Sequence, residues 1–165
     1  MMYERTKLGS FLYNLSVKIA ISLDKKPALY FLLLFTWGMI ETLVGLFILL
    51  ILIICGKKPK RYHRSLYFIV GSNWGGFSCS FISVIANDMG TEYTIDTIEH
   101  ELGHSYQVCW LGPLWIFVVA VPSICRYWRD YYCRKKQKDC PEYESIWFEG
   151  SATDSGKAVC KSLYE

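Results

Sequence analysis

Thr94-Ile95-Asp96-Thr97-Ile98-Glu99-His100-Glu101-Leu102-Gly103-His104-Ser105-Tyr106-Gln107-Val108-Cys109 is the stretch from which the rest of this chain is read. Asp96 followed three residues later by Glu99 resembles a capping box, and Gly112-Pro113 is a stop signal, so the pattern predicts a helix over 94–109. On a helix, residues i and i+4 share one face about one turn apart. The imidazoles of His100 and His104 can therefore bind one zinc ion, and Glu101 stands beside the open position as a general base. Zinc would lower the pKa of its water to about 7 and make a nucleophile at neutral pH. The chain has three histidines, and two of them are spent on this motif. The third, His63, sits in the basic run Lys57–Arg64 and reads as an interfacial residue rather than a third ligand. Downstream carboxylates are better candidates for that role: Glu142, Glu144, Glu149 and Asp154.

The surroundings of the motif are membrane-like. Of 165 residues, 52% are hydrophobic and 20% charged, against about 45–50% and 25% in a typical soluble domain. The length suits one domain. The excess is uneven: residues 28–55 carry a single acid, Glu41, and no base. That stretch is long enough to cross a bilayer, which takes about 20 apolar residues. Glu41 near its middle is then either protonated, paired, or placed at a helix break near Gly38, because a bare carboxylate in hydrocarbon costs at least a few kcal/mol. The net charge of +3 is too mild to argue for nucleic acid. The basic clusters Lys57–Arg64 and Arg126–Lys138 flank apolar segments, as headgroup anchors do.

Seven cysteines form no CxxC pair, and their odd number argues against a disulfide framework. Those in apolar runs behave as small hydrophobes. Leu8, Phe11, Leu12, Leu15, Ile19 and Leu23 recur at helical spacing and predict an amphipathic helix, lying at an interface or packed on the rest of the chain. Between residues 65 and 87, two β-rich runs flank Gly71-Ser72-Asn73-Trp74-Gly75-Gly76, which reads as a hairpin turn; a second, poorly formed span is the alternative. The apolar run 114–125 is too short to span and suits a re-entrant segment. Residues 126–141 form a basic, aromatic connector, and 142–163 a last helix.

HELGHSYQ, followed by Leu111-Gly112-Pro113 and Val121-Pro122-Ser123, resembles small bacterial membrane proteins with an H-E-x-G-H-x-x-Q signature. More widely it is similar to the gluzincin, thermolysin-like zinc metallopeptidases. In these families a Glu on a later helix completes the site, within a pattern such as E-x-x-A-D or E-x-x-x-D. Trp147-Phe148-Glu149-Gly150-Ser151-Ala152-Thr153-Asp154 matches at Glu149 and Ala152, so the resemblance covers about residues 70–156 and implies Glu149 as the third ligand. The chain departs from the pattern at the family's acid, which orients a zinc-bound histidine. Thr153 stands there and Asp154 comes one residue later, so either is the candidate partner of the imidazole.

A tetrahedral intermediate needs a donor aimed at its oxyanion. Tyr106 and Tyr143 are the leading candidates, beside Arg126, Tyr127, Arg129, Tyr131 and Tyr132. The run Phe77–Val84 could pair with an extended peptide, as the edge strand of thermolysin-like clefts does.

These readings predict an α+β membrane protein. It has an interfacial segment (1–27), one transmembrane helix (28–55) and a membrane-associated zincin-like domain (65–165) that holds a small β-hairpin or sheet, a helical metal site and a re-entrant or interfacial apolar segment. The expected activity is zinc-dependent peptide hydrolysis on a peptide or protein substrate, in contact with membrane lipid and not with nucleic acid. A non-catalytic membrane protein that keeps the zinc site for structure or partner binding is the alternative. The denser basic cluster after residue 55 and the free cysteines place the site on the cytoplasmic side of the cell membrane.

Overall fold

A computed structural model describes residues 6–71, 75–86, 91–139 and 142–163. The fold is mostly helical, with one small mixed sheet. Helix α1 (Lys7–Asp24) begins at Thr6, whose Oγ1 accepts a hydrogen bond from the Gly9 amide at 3.1 Å. Its buried face is lined by Gly9, Ser16, Ala20 and Leu23. Small side chains let it lie close on the last helix, α6 (Trp147–Cys160), while Leu8 and Phe11 stay exposed. Of the two expectations for this segment, the helix is thus packed on the rest of the chain.

The apolar stretch expected as one span forms two helices, α2 (Pro27–Thr36) and α3 (Met39–Ile54), bent by 91° at Trp37-Gly38. Among the described residues no single helix is long and apolar enough to cross a membrane. The break has a packing cause. The Trp37 ring covers Gly112, and a Cβ on Gly38 would come within 2.5 Å of Val108 Cγ1. Glu41 follows the break, in the first turn of α3, buried and with neither carboxylate oxygen hydrogen-bonded.

Strands β1 (Lys60–Tyr62), β2 (Ser65–Ile69), β3 (Gly76–Cys79) and β4 (Ile82–Ile85) form a sheet in the order β1-β2-β4-β3. The runs on either side of the glycine-rich segment do not pair as one hairpin. Instead β2 runs parallel to β4, with Leu66 opposite Ile82 and Ile69 opposite Ile85. The hairpin lies later, β3 with β4, closed by Ser80-Phe81. The predicted turn at 71–76 includes residues 72–74, which lie outside the described residues. β4 is buried at every position, as a central strand covered on both faces must be.

Helix α4 (Thr91–Leu111) is longer than expected at both ends. Asp96 is therefore not its cap; it lies inside the helix, exposed, and ion-pairs with Lys157 at 3.1 Å. A 3₁₀ turn (Gly112–Leu114) and a π-helical segment (Ile116–Ala120) follow. They lead into α5 (Val121–Lys135), which leaves the α4 direction at 114°. The connector expected at 126–141 is thus helical as far as Lys135. Before α6 a short 3₁₀ turn spans Tyr143–Ser145. Cys133 is disulfide-bonded, although the odd cysteine count argued against a disulfide framework, whereas Cys55, Cys79, Cys109, Cys125 and Cys160 are free.

Candidate metal centre

Helices α4 and α6 run antiparallel and almost touch. Counting in fours along α4, Glu99, Gly103 and Gln107 meet Gly156, Ala152 and Phe148 of α6. A Cβ on Gly103 would lie 1.9 Å from the Ala152 carbonyl oxygen, and one on Gly156 would lie 1.8 Å from that of Glu99. Two glycines therefore allow a backbone approach that no other residue permits. The short, small-residue run Gly150-Ser151-Ala152 of α6 is buried against this contact.

This approach brings Glu149, in the first turn of α6, against the two histidines of α4. His100 Nε2 is 3.3 Å and His104 Nε2 3.4 Å from Glu149 Oε2, and the two Nε2 atoms are 3.2 Å apart. Three donors about 2.0–2.1 Å from a common tetrahedral centre stand roughly 3.3–3.4 Å from one another, so these separations fit a zinc-sized cation. The Glu149 carboxylate is fully buried, and neither oxygen makes a hydrogen bond. A buried carboxylate needs a positive partner, which protonated imidazoles supply here and a cation could supply in their place. Burial alone would push the Glu149 pKa up; the two imidazoles outweigh it and hold the group well below the usual carboxylate range. Reciprocally, burial would lower His104, and Glu149 instead lifts it to about 9. The cluster is built around a positive charge, and His100, His104 and Glu149 together could hold a metal ion.

The far side of each imidazole is also occupied. Thr153 Oγ1 lies 2.8 Å from His100 Nδ1 and in turn donates to Glu144 Oε1 at 3.0 Å. Gln107 Oε1 lies 2.8 Å from His104 Nδ1, while Gln107 Nε2 donates to the Phe148 carbonyl (2.7 Å) and Ser151 Oγ (3.0 Å). The hydroxyl that donates to Glu144 and the amide oxygen of Gln107 both accept from Nδ1–H, so each ring turns Nε2 to the Glu149 carboxylate, able to donate to it when protonated and to ligate a metal when neutral. Of the two candidates for this role, Thr153 holds the imidazole. Asp154 points away and accepts a hydrogen bond from Tyr13. Thr153→Val should weaken metal affinity by about 10–100-fold, measured by competition with a chromophoric chelator. An unchanged affinity would remove Thr153 from the site. Gln107 was not singled out for a role in the sequence, although its position three residues after His104, on the same helix face, was a usable signal.

Glu101 does not join the cluster. Its Oε2 accepts a hydrogen bond from Ser78 Oγ of β3 at 2.7 Å, and a Cβ at Gly76 would stand 3.1 Å from its Oε1. It lies in a cleft of about 360 Å³ floored by His100, Glu101 and His104. Edge strand β3 forms one wall; Trp115, Val119, Ala120, Ser123 and Ile124 form another, with Tyr143 at its margin.

The oxyanion candidates separate cleanly. Tyr143 lines the cleft, its hydroxyl 2.5 Å from Ser123 Oγ. Burial, reinforced by the Glu149 charge, raises its pKa, so it remains a neutral donor. Arg126 clamps the Tyr143 segment through the carbonyls of Glu142 (2.7 Å) and Tyr143 (2.9 Å). Tyr106 does not line the cleft: it is buried and donates to Asp24 Oδ1 at 2.7 Å, beside His63 and Arg64. Tyr127, Tyr131 and Tyr132 are exposed on α5, and Arg129 pairs with Asp130. Glu142 is exposed, and Glu144 accepts the hydrogen bond from Thr153. No protein-family profile, curated protein or solved structure matches this chain.

Proposed function

We propose that the chain is a membrane-associated zinc metallopeptidase whose cleft binds an extended peptide or protein segment. The observation that carries this reading is the division of labour between two buried acids one helix apart. Glu149 closes a donor triangle with His100 and His104, while Glu101 stays outside it, hydrogen-bonded to Ser78 and facing the cleft. A purely structural metal site is closed by four protein ligands. Here, among the described residues, three donors converge, and a cleft with an acid in it adjoins them.

Zinc, when bound by the triangle, supplies Lewis-acid polarisation of water and of the substrate carbonyl. Glu101 takes a proton from the attacking water and returns it to the leaving amine. Ser78 holds the Glu101 carboxylate in the cleft by a single hydrogen bond, leaving its other oxygen for that proton. Tyr143 Oη donates toward the oxygen that gains charge as the carbonyl carbon becomes tetrahedral. Thr153 and Gln107 keep each imidazole in one tautomer and orientation. Val119, Ala120 and Ile124 exclude water and favour an apolar side chain next to the cleaved bond.

Purified protein should contain about one zinc per chain, and Glu149→Ala should lose it, as read by atomic emission on dialysed samples. Quenched fluorescent peptides with apolar residues should be cleaved by the wild type and not after chelation. A metal-free wild type would overturn the zinc assignment. A zinc-loaded, uncleaving protein would instead support the non-catalytic role, in which the same site serves structure or partner binding.

The membrane part of this proposal rests on the surface. Leu32, Leu43, Phe47, Leu50 and Ile54 of α2 and α3 are between 54% and 75% exposed, as are Phe117, Ile124 and Trp128 of the π segment and α5. Soluble monomers rarely expose contiguous apolar patches of such extent.

A further inference from the structure

We propose that α2–α3 is a strap laid in one leaflet of an anionic membrane and not a span. The chain before Pro27, the chain after Ile54 and the cleft then lie on the same aqueous side. This rests on the membrane reading above and replaces the single transmembrane helix expected from residues 28–55.

The strap is tied to the domain through α2, the break and the first half of α3. In α2, Tyr30 is buried and its hydroxyl is 2.8 Å from Ser105 Oγ of α4. At the break, Trp37 Nε1 donates to the Trp110 carbonyl at 3.4 Å. In α3, Thr42 Oγ1 donates to the Leu34 carbonyl at 2.8 Å and lies 2.8 Å from Ser80 Oγ at the β3–β4 turn. A Cβ on Gly45 would stand 2.4 Å from the Cys79 carbonyl oxygen. Past α3, Lys57 Nζ donates to the Val70 carbonyl at 3.3 Å. Its two flanks then meet: Asp24 Oδ1, three residues before α2, lies 2.7 Å from His63 Nε2 and 2.8 Å from Arg64 Nε.

A crossing needs about 30 Å of hydrocarbon to be traversed by a segment surrounded by lipid. At 1.5 Å per residue α2 is about 15 Å long and α3 about 24 Å, and they lie at right angles. Since the first half of α3 is committed to the sheet, a crossing would have to pull it from the β3–β4 turn and leave Thr42 and Ser80 in hydrocarbon without the hydrogen bond they share here. The outer face carries no such penalty. It is apolar from Leu32 to Ile54 and bracketed by exposed Lys25 and Lys26 before it and Lys57, Lys58 and Lys60 after it. That is the distribution that seats an amphipathic element at an anionic headgroup layer. The second apolar surface joins the first where Trp37 covers Gly112 and the chain continues to exposed Leu114 and Phe117. Ile124 belongs to both this surface and the cleft wall, so the cleft opens on the aqueous side beside the headgroup layer.

The test uses the full chain with an epitope tag at each end, in sealed membrane vesicles of both orientations treated with proteinase K. Loss of both tags in the same orientation is expected; loss in opposite orientations would establish a span and overturn the strap. Flotation of the purified chain separates the two levels of the argument. Binding to phosphatidylcholine vesicles containing phosphatidylglycerol is expected, weakened about 30-fold in Lys57→Gln/Lys58→Gln, since each lysine near an anionic surface contributes a factor of about five. Phe47→Glu, on the outer face, should release the protein while its circular dichroism stays unchanged. A wild type that fails to float at all would overturn the membrane reading itself, and the strap with it, while leaving the zinc assignment intact.

Discussion

Glu101→Gln should retain one zinc per chain and lose peptide cleavage by about 10²–10⁴-fold, the usual contribution of a positioned general base. The amide has nearly the shape of the carboxylate, so it preserves the packing beside Gly76 and can still accept from Ser78 through its oxygen. It cannot take a proton. Because Glu101 is not among the three converging donors, metal content should not follow activity. A variant that cleaves at the wild-type rate would refute the assigned base. One that loses zinc together with activity would place Glu101 among the ligands. Ser78→Ala is the milder companion: the carboxylate stays but loses its tether, so a smaller fall in kcat with unchanged zinc is expected.

Gly103→Ala should damage the site without touching a donor. The added methyl would stand 1.9 Å from the Ala152 carbonyl oxygen, and backbone cannot yield as a flexible side chain can. The helices must part, at a cost of about 1–3 kcal/mol or more for overpacking. Glu149 moves with α6 and the histidines stay with α4. Separations of 3.2–3.4 Å leave little slack. We expect a fall in Tm of several degrees and metal affinity weakened at least tenfold, by calorimetry and chelator competition. Wild-type affinity in a folded Gly103→Ala protein would show that the close crossing does not set the donor geometry.

Much of the site was legible because it is local. His100, Glu101 and His104 sit on one helix, where spacing alone fixes which side chains share a face. Glu149 was reached through resemblance to a family pattern and not through periodicity, and it does meet both histidines. Tyr143 and Tyr106 show where locality stops. Both are tyrosines near the motif in sequence or pattern, yet one lines the cleft and the other reaches Asp24 on α1. Nothing in the composition around Tyr106 distinguishes a hydroxyl at the cleft from one facing a carboxylate 82 residues away.

The sheet shows the same limit. Glycines at 71, 75 and 76 drew the hairpin to the wrong place, whereas the two short turns observed contain no glycine or asparagine. His63-Arg64 joins β1 to β2 and Ser80-Phe81 joins β3 to β4. His63 and Ser80 take φ values of 48° and 59°, a region that histidine enters less readily than glycine and serine rarely enters. Each is held there from outside the turn, His63 by Asp24 and Ser80 by Thr42. A turn whose stabilising partner lies some 40 residues away leaves no local signal.

The amino-acid sequence by itself determined the helix that carries His100, Glu101 and His104 on one face and the concentration of apolar residues in 28–55, because each depends on neighbours within a turn or on composition. The tertiary structure alone decided the rest. It selected Thr153 over Asp154 as the partner of His100, broke the apolar stretch at Gly38 and set β2 parallel to β4. Each of those outcomes depends on which backbones can approach across the fold. Here that is governed by Gly38, Gly45, Gly103, Gly112 and Gly156, five positions where a single Cβ would collide with another part of the chain.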